Sequence, residues 1–237
     1  TLDTDKVTPA AETPAVNKND TPNVSKTNPP PGKDGGTGTG KESGKKVSVA
    51  AAIGVGVAVN QAKAGIGAGR RVSTSGNLDI KATTDTNYAT TATGEAVSDD
   101  VGVAAAVALT ATFNKTQATI GAGTTVVQAQ DINILATALQ NRDAAFVKTM
   151  SAEAVSGASG GEVAVAGALA VVGNDNETTA AIDEGATIGS AAARVGDITV
   201  KAEDTSKISA QARAGALSTG DKSKAGVGAS FAVLLSN

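Results

Sequence analysis

The stretch Val47 to Gly69, "VSVAAAIGVGVAVNQAKAGIGAG", carries no charge from Val47 to Val59, and its reading decides the fold. Its larger residues, Val47, Val49, Ile53, Val55, Val57 and Val59, stand at odd positions. Ser48, Ala50, Ala52, Gly54, Gly56 and Ala58 stand between them. Strict alternation is the two-residue period of a β-strand. Wound as a helix, these valines would scatter around the cylinder, and the glycines and β-branched residues disfavour that state as well. A membrane helix needs about 20 apolar residues, and this run stops short of that. A transmembrane barrel strand would suit the length, but barrels carry aromatic girdles at both interfaces. The chain holds one Tyr, three Phe and no Trp (Tyr88, Phe113, Phe146, Phe231).

The segment recurs. "VSVAAAIGVGVAV" at 47–59 returns as "VGVAAAVALTATF" at 101–113, as "VAVAGALAVVGND" at 163–175, and opens again as "AGVGASFAVLLSN" at 225–237. The spacings are 54 and then 62 residues. Asn60, Asn114 and Asn176 keep step, as do Ile66, Ile120 and Ile182. So do "LDIKA" at 78–82, "INILA" at 132–136 and "ITVKA" at 198–202. A further block reads "AVS" at 96–98 and 154–156 and "ALS" at 216–218. Repeats at about 47–100, 101–162 and 163–224 are therefore expected, with a fourth starting at 225–237. The charge-free strand is expected to be buried against its own copies, with Asn60, Asn114 and Asn176 as the turns that end it. Asn is at home in left-handed turn geometry.

The implied fold class is all-β: a repetitive β-solenoid in which each coil buries its apolar face only against its neighbours. About 20 residues, such as 118–136, would make one coil. Segments such as 144–155 and 163–173 read equally as further coils or as antiparallel hairpins joined by "SGASGGE" at 156–162. Met150 and the aromatics are expected to plug the few wide places in an alanine-rich interior.

Before the repeats, residues 1–46 hold all six prolines and are otherwise rich in Thr, Asn, Lys, Asp and Gly. Such a segment cannot bury enough apolar surface to offset its ordering entropy, and reads as a disordered, flexible linker. Within it Gly35 to Lys41, "GGTGTGK", imitates a phosphate-binding loop. No strand precedes it, and Glu42 stands where a hydroxyl should meet the metal ion. Ser43-Gly44-Lys45-Lys46 matches S-x-x-K without the companion motifs of that enzyme class. The chain begins with Thr1, has no signal peptide, and reads as a piece of a longer protein.

Composition narrows the function. With no Cys and no His there are no disulfides, thiol nucleophiles, His acid/base pairs or ordinary zinc sites. A net charge of −3 gives no basic footprint for nucleic acid. The carboxylates at Asp99-Asp100, Asp175 with Glu177, Asp183-Glu184 and Glu203-Asp204 lack the spacing of calcium loops, and read as solvated turns. No catalytic, cofactor-binding or metal residues are assigned, and no cofactor. Asn114-Lys115-Thr116 and Asn176-Glu177-Thr178 fit the N-glycosylation acceptor pattern, though Asn60-Gln61-Ala62 at the equivalent place does not.

The succession "VGVAAAVALTATFNKTQATIGAGTTVVQAQDINILATA" (101–138) resembles the repeats of large secreted bacterial adhesins. These are the filamentous haemagglutinin-like proteins, including leukotoxin-type filamentous adhesins of Gram-negative bacteria. The resemblance covers about 47–237 and rests on three features. They are a small-residue valine strand ending at Asn, A-x-I-G-x-G, and a D-[IV]-x-[IV]-x-A strand. It implies a right-handed parallel β-helix, export to the bacterial cell surface, and a non-enzymatic role as rigid stalk or adhesive surface. The partner would be a host-cell or matrix surface. The alternative is a self-assembling extracellular filament or matrix protein, partnered by its own copies. More remote is a β-helix enzyme acting on polysaccharide. The third repeat departs from the pattern at Asp183-Glu184 and at the "SAAAR" insertion (190–194), so irregularity is expected there.

Overall fold

The computed structural model describes residues 34–41, 47–139, 150–220 and 224–237. After β1 (Asp34–Lys41), the first repeat lays down β2 (Val47–Ile66), β3 (Arg71–Ser73), β4 (Leu78–Asp85) and β5 (Ala89–Val97). The second supplies β6 (Val101–Ile120), β7 (Thr125–Gln128), β8 (Ile132–Leu139) and β9 (Met150–Gly160). The third supplies β10 (Val163–Ile182), β11 (Thr187–Ile188), β12 (Ile198–Thr205) and β13 (Ile208–Ser218), and β14 (Ala225–Ser236) opens the next.

The fold is all-β, and every strand pairing among the described residues is parallel. Each repeat gives one strand to each of four sheets. The long-strand sheet runs β14-β10-β6-β2, the short sheet β11-β7-β3, the isoleucine sheet β12-β8-β4 and the alanine sheet β1-β5-β9-β13. The antiparallel hairpin is thereby excluded: β9 and β10, on either side of the 161–162 turn, belong to different sheets. The unit that recurs within each sheet is the whole repeat, not 20 residues. Residues 118–136 cross from β6 through β7 into β8, which lie in three sheets.

Register follows most of the sequence landmarks. Val47 pairs with Val101 and Val163 with Val101, and Ile66, Ile120 and Ile182 form one row. The "AVS" block does not: Ala96 pairs with Ala158 and Ala158 with Ala216, so 154–156 was misaligned by four residues. Small residues (Ala152, Ala154, Ser156, Ala158) hold successive alternate places in β9, so a shift of four keeps the phase and sequence does not detect it.

The segment expected to be wholly linker contributes a strand. Asp34 to Lys41 pairs with β5 from Asp34–Thr90 to Lys41–Val97, so the sheet begins before Val47. Backbone pairing offsets the entropy cost of its glycines, which composition alone weighs against order. The rest of the expected linker, and Ser43 to Lys46, lie outside the described residues.

Burial runs opposite to the valines. Along β2 and β6 the even positions are inward, with Ala50, Ala52, Ala104, Ala106 and Ala108 buried. Val49, Ile53 and Val55 are 67%, 67% and 60% exposed. The charge-free run is thus a strand whose small residues are buried and whose large ones face out. The cause is the closeness of the alanine sheet opposite. A Cβ placed on Gly94 would lie 2.3 Å from the Ala105 carbonyl oxygen, and one on Gly102 2.3 Å from that of Ser159. Gly, Ala, Ser and Thr therefore dominate between these layers, with Val172 a larger exception. At its other end the long-strand sheet faces the isoleucine and short sheets, and the core widens. There Ile120, Val126, Ile132 and Ile134 are fully buried, with Leu78 and Ile80 beside them.

Met150 fills the interior as expected, fully buried, with the Thr112 hydroxyl 2.7 Å from its sulfur. Tyr88 packs its ring over Gly56, where a Cβ would come within 2.2 Å of it. Phe113 and Phe231 do not plug anything: they are 47% and 67% exposed on the outer face of the long-strand sheet. Phe146 lies outside the described residues. At the far tip of each repeat Gly69, Gly123 and Gly185 share a left-handed φ of 66–72°. The Asp183-Glu184 substitution leaves that turn in place, since the Gly123 amide donates to the Glu184 carbonyl at 3.0 Å. The irregularity falls at 189–197, around the expected "SAAAR" insertion, after a two-residue β11.

Candidate functional site

Asn60, Asn114 and Asn176 are not turns. Each lies inside a 20-residue strand, facing inward. The even phase that begins at Ser48 passes through Asn60 and continues to Ala62, Ala64 and Ile66 without a break. The three amides form a ladder along the stack. Asn60 Nδ2 donates to Asn114 Oδ1 at 3.0 Å, and Asn114 Nδ2 to Asn176 Oδ1 at 2.7 Å. Thr86 closes the side, accepting from Asn60 Nδ2 and donating to Asn114 Oδ1, both at 2.9 Å. Asn176 donates to Ser206 Oγ and to Asp204 Oδ1. The ladder sits where the thin alanine layer meets the wider isoleucine core, opposite the corner between the isoleucine and alanine sheets. A shallow cleft there, lined by Thr84, Thr86, Asn114, Ala138, Leu139, Asn176 and Ser206, has room for about one water.

Asn114 is 6% exposed with its Nδ2 donating to Asn176, so as a glycosylation acceptor it is inaccessible in the folded chain; Asn176 is less buried but spends its amide nitrogen on the same network. Apart from the Asp204 carboxylate at its edge, the network consists of neutral amides and hydroxyls that tie the layers together.

The acidic side chains are spread along the stack. Glu177 meets Lys115 Nζ at 2.8 Å and Gln117 Nε2 at 3.2 Å on the outer face. The hydrogen bond from Lys115 holds its carboxyl below the usual glutamate range. Glu203 pairs with Lys201 at 2.8 Å, and Glu162 with Lys224 at 2.7 Å, which raises the lysine's pKa. Among the described residues no three acidic side chains gather in a metal-sized group. Gly35 to Lys41 is extended backbone in β1 and forms no cradle.

The feature that sequence reasoning missed is the outer face of the long-strand sheet. From Val47 to Val59 and its copies, register stacks apolar rows across four strands: Val49, Val103, Val165 and Val227 in one, Ile53, Val107, Leu169 and Phe231 in another. Between them runs a row of small residues, Ala51, Ala105, Gly167 and Ala229. The face ends sharply after Val59, where Gln61, Lys63, Lys115, Gln117 and Glu177 take over. At about 3.3 Å per residue and 4.8 Å per strand it covers roughly 40 by 19 Å, on the order of 800 Å². The largest apolar patch of an ordinary monomer is about 300–600 Å². The outward positions of the alanine sheet, on the opposite side, are mixed: Thr91, Glu153 and Gln211 in one row, Thr93, Val155 and Arg213 in the next, and Val97, Ser159 and Leu217 in another. The available signal was Gly54 and Gly56 in phase with the alanines, which marks that phase as the crowded side.

Comparison with family models, curated proteins and solved structures finds no match to this chain.

Proposed function

We propose that the chain is a non-enzymatic repeat segment of a large secreted bacterial surface adhesin of the filamentous haemagglutinin-like kind, built as a parallel β-solenoid that acts as a stalk. The observation that carries this reading is the in-register, all-parallel stacking of whole repeats, in which each repeat contacts its neighbours through the same four sheets. Such a design lengthens by repetition without changing its cross-section, which suits a spacer that holds binding sites away from a cell. The hydrogen-bonded Asn ladder and the close-packed alanine layer make each layer stiff.

Duplicating residues 47–224 in tandem tests the architecture. Small-angle scattering is expected to show the particle growing by about 14 Å per added block of three repeats, at about 4.8 Å per layer. Growth by a whole domain diameter would contradict the solenoid. Binding of the purified chain to host cells, glycans or matrix tests adhesion by this segment itself, and its absence leaves only the stalk role. The filament alternative is favoured by one observation, the apolar outer face.

A further inference from the structure

We propose that the outer face of the long-strand sheet pairs two copies of this chain, face to face, about a two-fold axis parallel to the stack. The face is too large and too apolar to be left in water, and it is rich in β-branched residues and almost without charge over 47–59 and its copies. An apolar sheet face of this kind packs best on another sheet, at about 10 Å.

The rows identify the second sheet as another copy. The small row (Ala51, Ala105, Gly167, Ala229) is a groove, and the adjacent row led by Ile53, Val107 and Leu169 is a ridge. A two-fold axis between these rows sets each copy's ridge into the other's groove. The same operation lays the Val49 row over the Val55 row, and the Val47 row over the row of Val57, Ala111 and Gly173, which is small in its middle strands. Because the axis is parallel to the stack, layers stay level, and β6 faces β6 of the second copy. The overlap of 47–57 with its mate covers about 1,300 Å² in total by projected area, within the range of stable specific interfaces at about 1,200–2,000 Å².

Asp175 falls outside the overlap, beyond the last shared row. A lipid surface is the weaker occupant. Membrane-lying faces carry a basic rim and large anchoring side chains, whereas here Lys115 is paired with Glu177 and the aromatics on the face are Phe113 and Phe231. The pairing rests on sheet geometry and not on the adhesin reading, so a chain that dimerises and binds no cell leaves it intact.

Sedimentation velocity on the whole chain tests it. At about 10 µM the chain is expected to sediment as a dimer. The double variant Leu109→Glu/Leu169→Glu is expected to be monomeric, with a dimer dissociation constant raised at least about a hundredfold and an unchanged far-ultraviolet spectrum. Both leucines project outward, so the charges leave the interior untouched. Ala105→Leu fills the groove and is expected to weaken the dimer about tenfold, while Asp175→Ala leaves it unchanged. A wild-type monomer at about 100 µM overturns the proposal. If that monomer also co-sedimented with phosphatidylcholine–phosphatidylglycerol vesicles, the face would belong to a lipid surface. A dimer that survives the double glutamate variant overturns it equally, and one indifferent to Ala105→Leu overturns the ridge-into-groove arrangement.

Discussion

Two neighbouring alanines on β6 should respond in opposite ways to the same substitution. Ala106 is 1% exposed and packs with Ala52, Ala92, Ala154 and Ala168 between the long-strand and alanine sheets. Ala105 is exposed on the outer face. In this layer even a single Cβ on Gly94 would come within 2.3 Å of a main-chain oxygen, so the gap has no room for another methyl. Ala106→Val adds two, and the sheets must separate or the side chain must leave its rotamer. Such overpacking costs about 1–3 kcal/mol. In the single chain Ala105→Val adds the same atoms to an exposed face, in a strand that favours β-branched residues, and there should change stability by no more than about 0.5 kcal/mol, in the favourable direction. At about 2–4 °C per kcal/mol for a chain of this size, a loss of about 2 kcal/mol lowers the melting temperature by about 4–8 °C. Circular dichroism melts at two concentrations a decade apart separate this from any effect on association. The inside-out core is wrong if Ala105→Val loses as much as Ala106→Val, or if Ala106→Val is tolerated within about 0.5 kcal/mol.

Replacing Asn114 by Ala removes the middle of the amide ladder and leaves Asn60, Thr86 and Asn176 short of partners. Urea denaturation should show a loss of about 2–4 kcal/mol, and a loss below about 0.5 would mean that solvent replaces the ladder freely. Gly123→Ala puts a side chain on a residue at φ 66°, and should cost about 1–2 kcal/mol in the same assay. Gly157→Ala, whose Cβ meets nothing within 4 Å, should be neutral or slightly stabilising. Glu177 should titrate below a free glutamate by NMR, and Lys115→Gln should return it towards the ordinary value. Because the folded pKa is the lower one, the pair's contribution is present above the unfolded glutamate pKa and is lost as pH falls through the folded value. It should also fade with added salt, since both groups are exposed.

The period of the long strands, the repeat unit and the rows through Asn60, Ile66 and Leu78 were all legible, because alternation and recurrence are properties of the chain itself. The direction of the alternation was not. Valine outside and alanine inside reverses the usual partition, and only the separation of the facing sheet decides it. Asn60 looked like a turn because Asn followed by polar residues ends many strands. Its even phase with Ala58 and Ala62 carried the contrary signal. The order of Asp34 to Lys41 was invisible because it comes from pairing with β5, a contact made across the fold by residues with little propensity of their own. The apolar outer face followed from the same reversal, so it was missed for the same reason.

The first two copies of the long strand are 54 residues apart and the next 62, yet Asn60, Asn114 and Asn176 remain in one hydrogen-bonded line. Between β8 and β12 the separation reaches 66, as seen where the Asp197 amide meets Asp131, and the chain falls back into step by β14. Most extra residues are taken up at corners such as 189–197, and one is taken up inside the short sheet, where Val72 pairs with Val126 but Ser73 with Gln128. The sequence period is therefore free while the spatial period is fixed. Unequal crossing-over between repeated gene segments could add or delete a copy, even one of different length, and still yield a chain whose layers meet correctly. In such a molecule, length becomes an inherited variable that recombination can adjust one layer at a time.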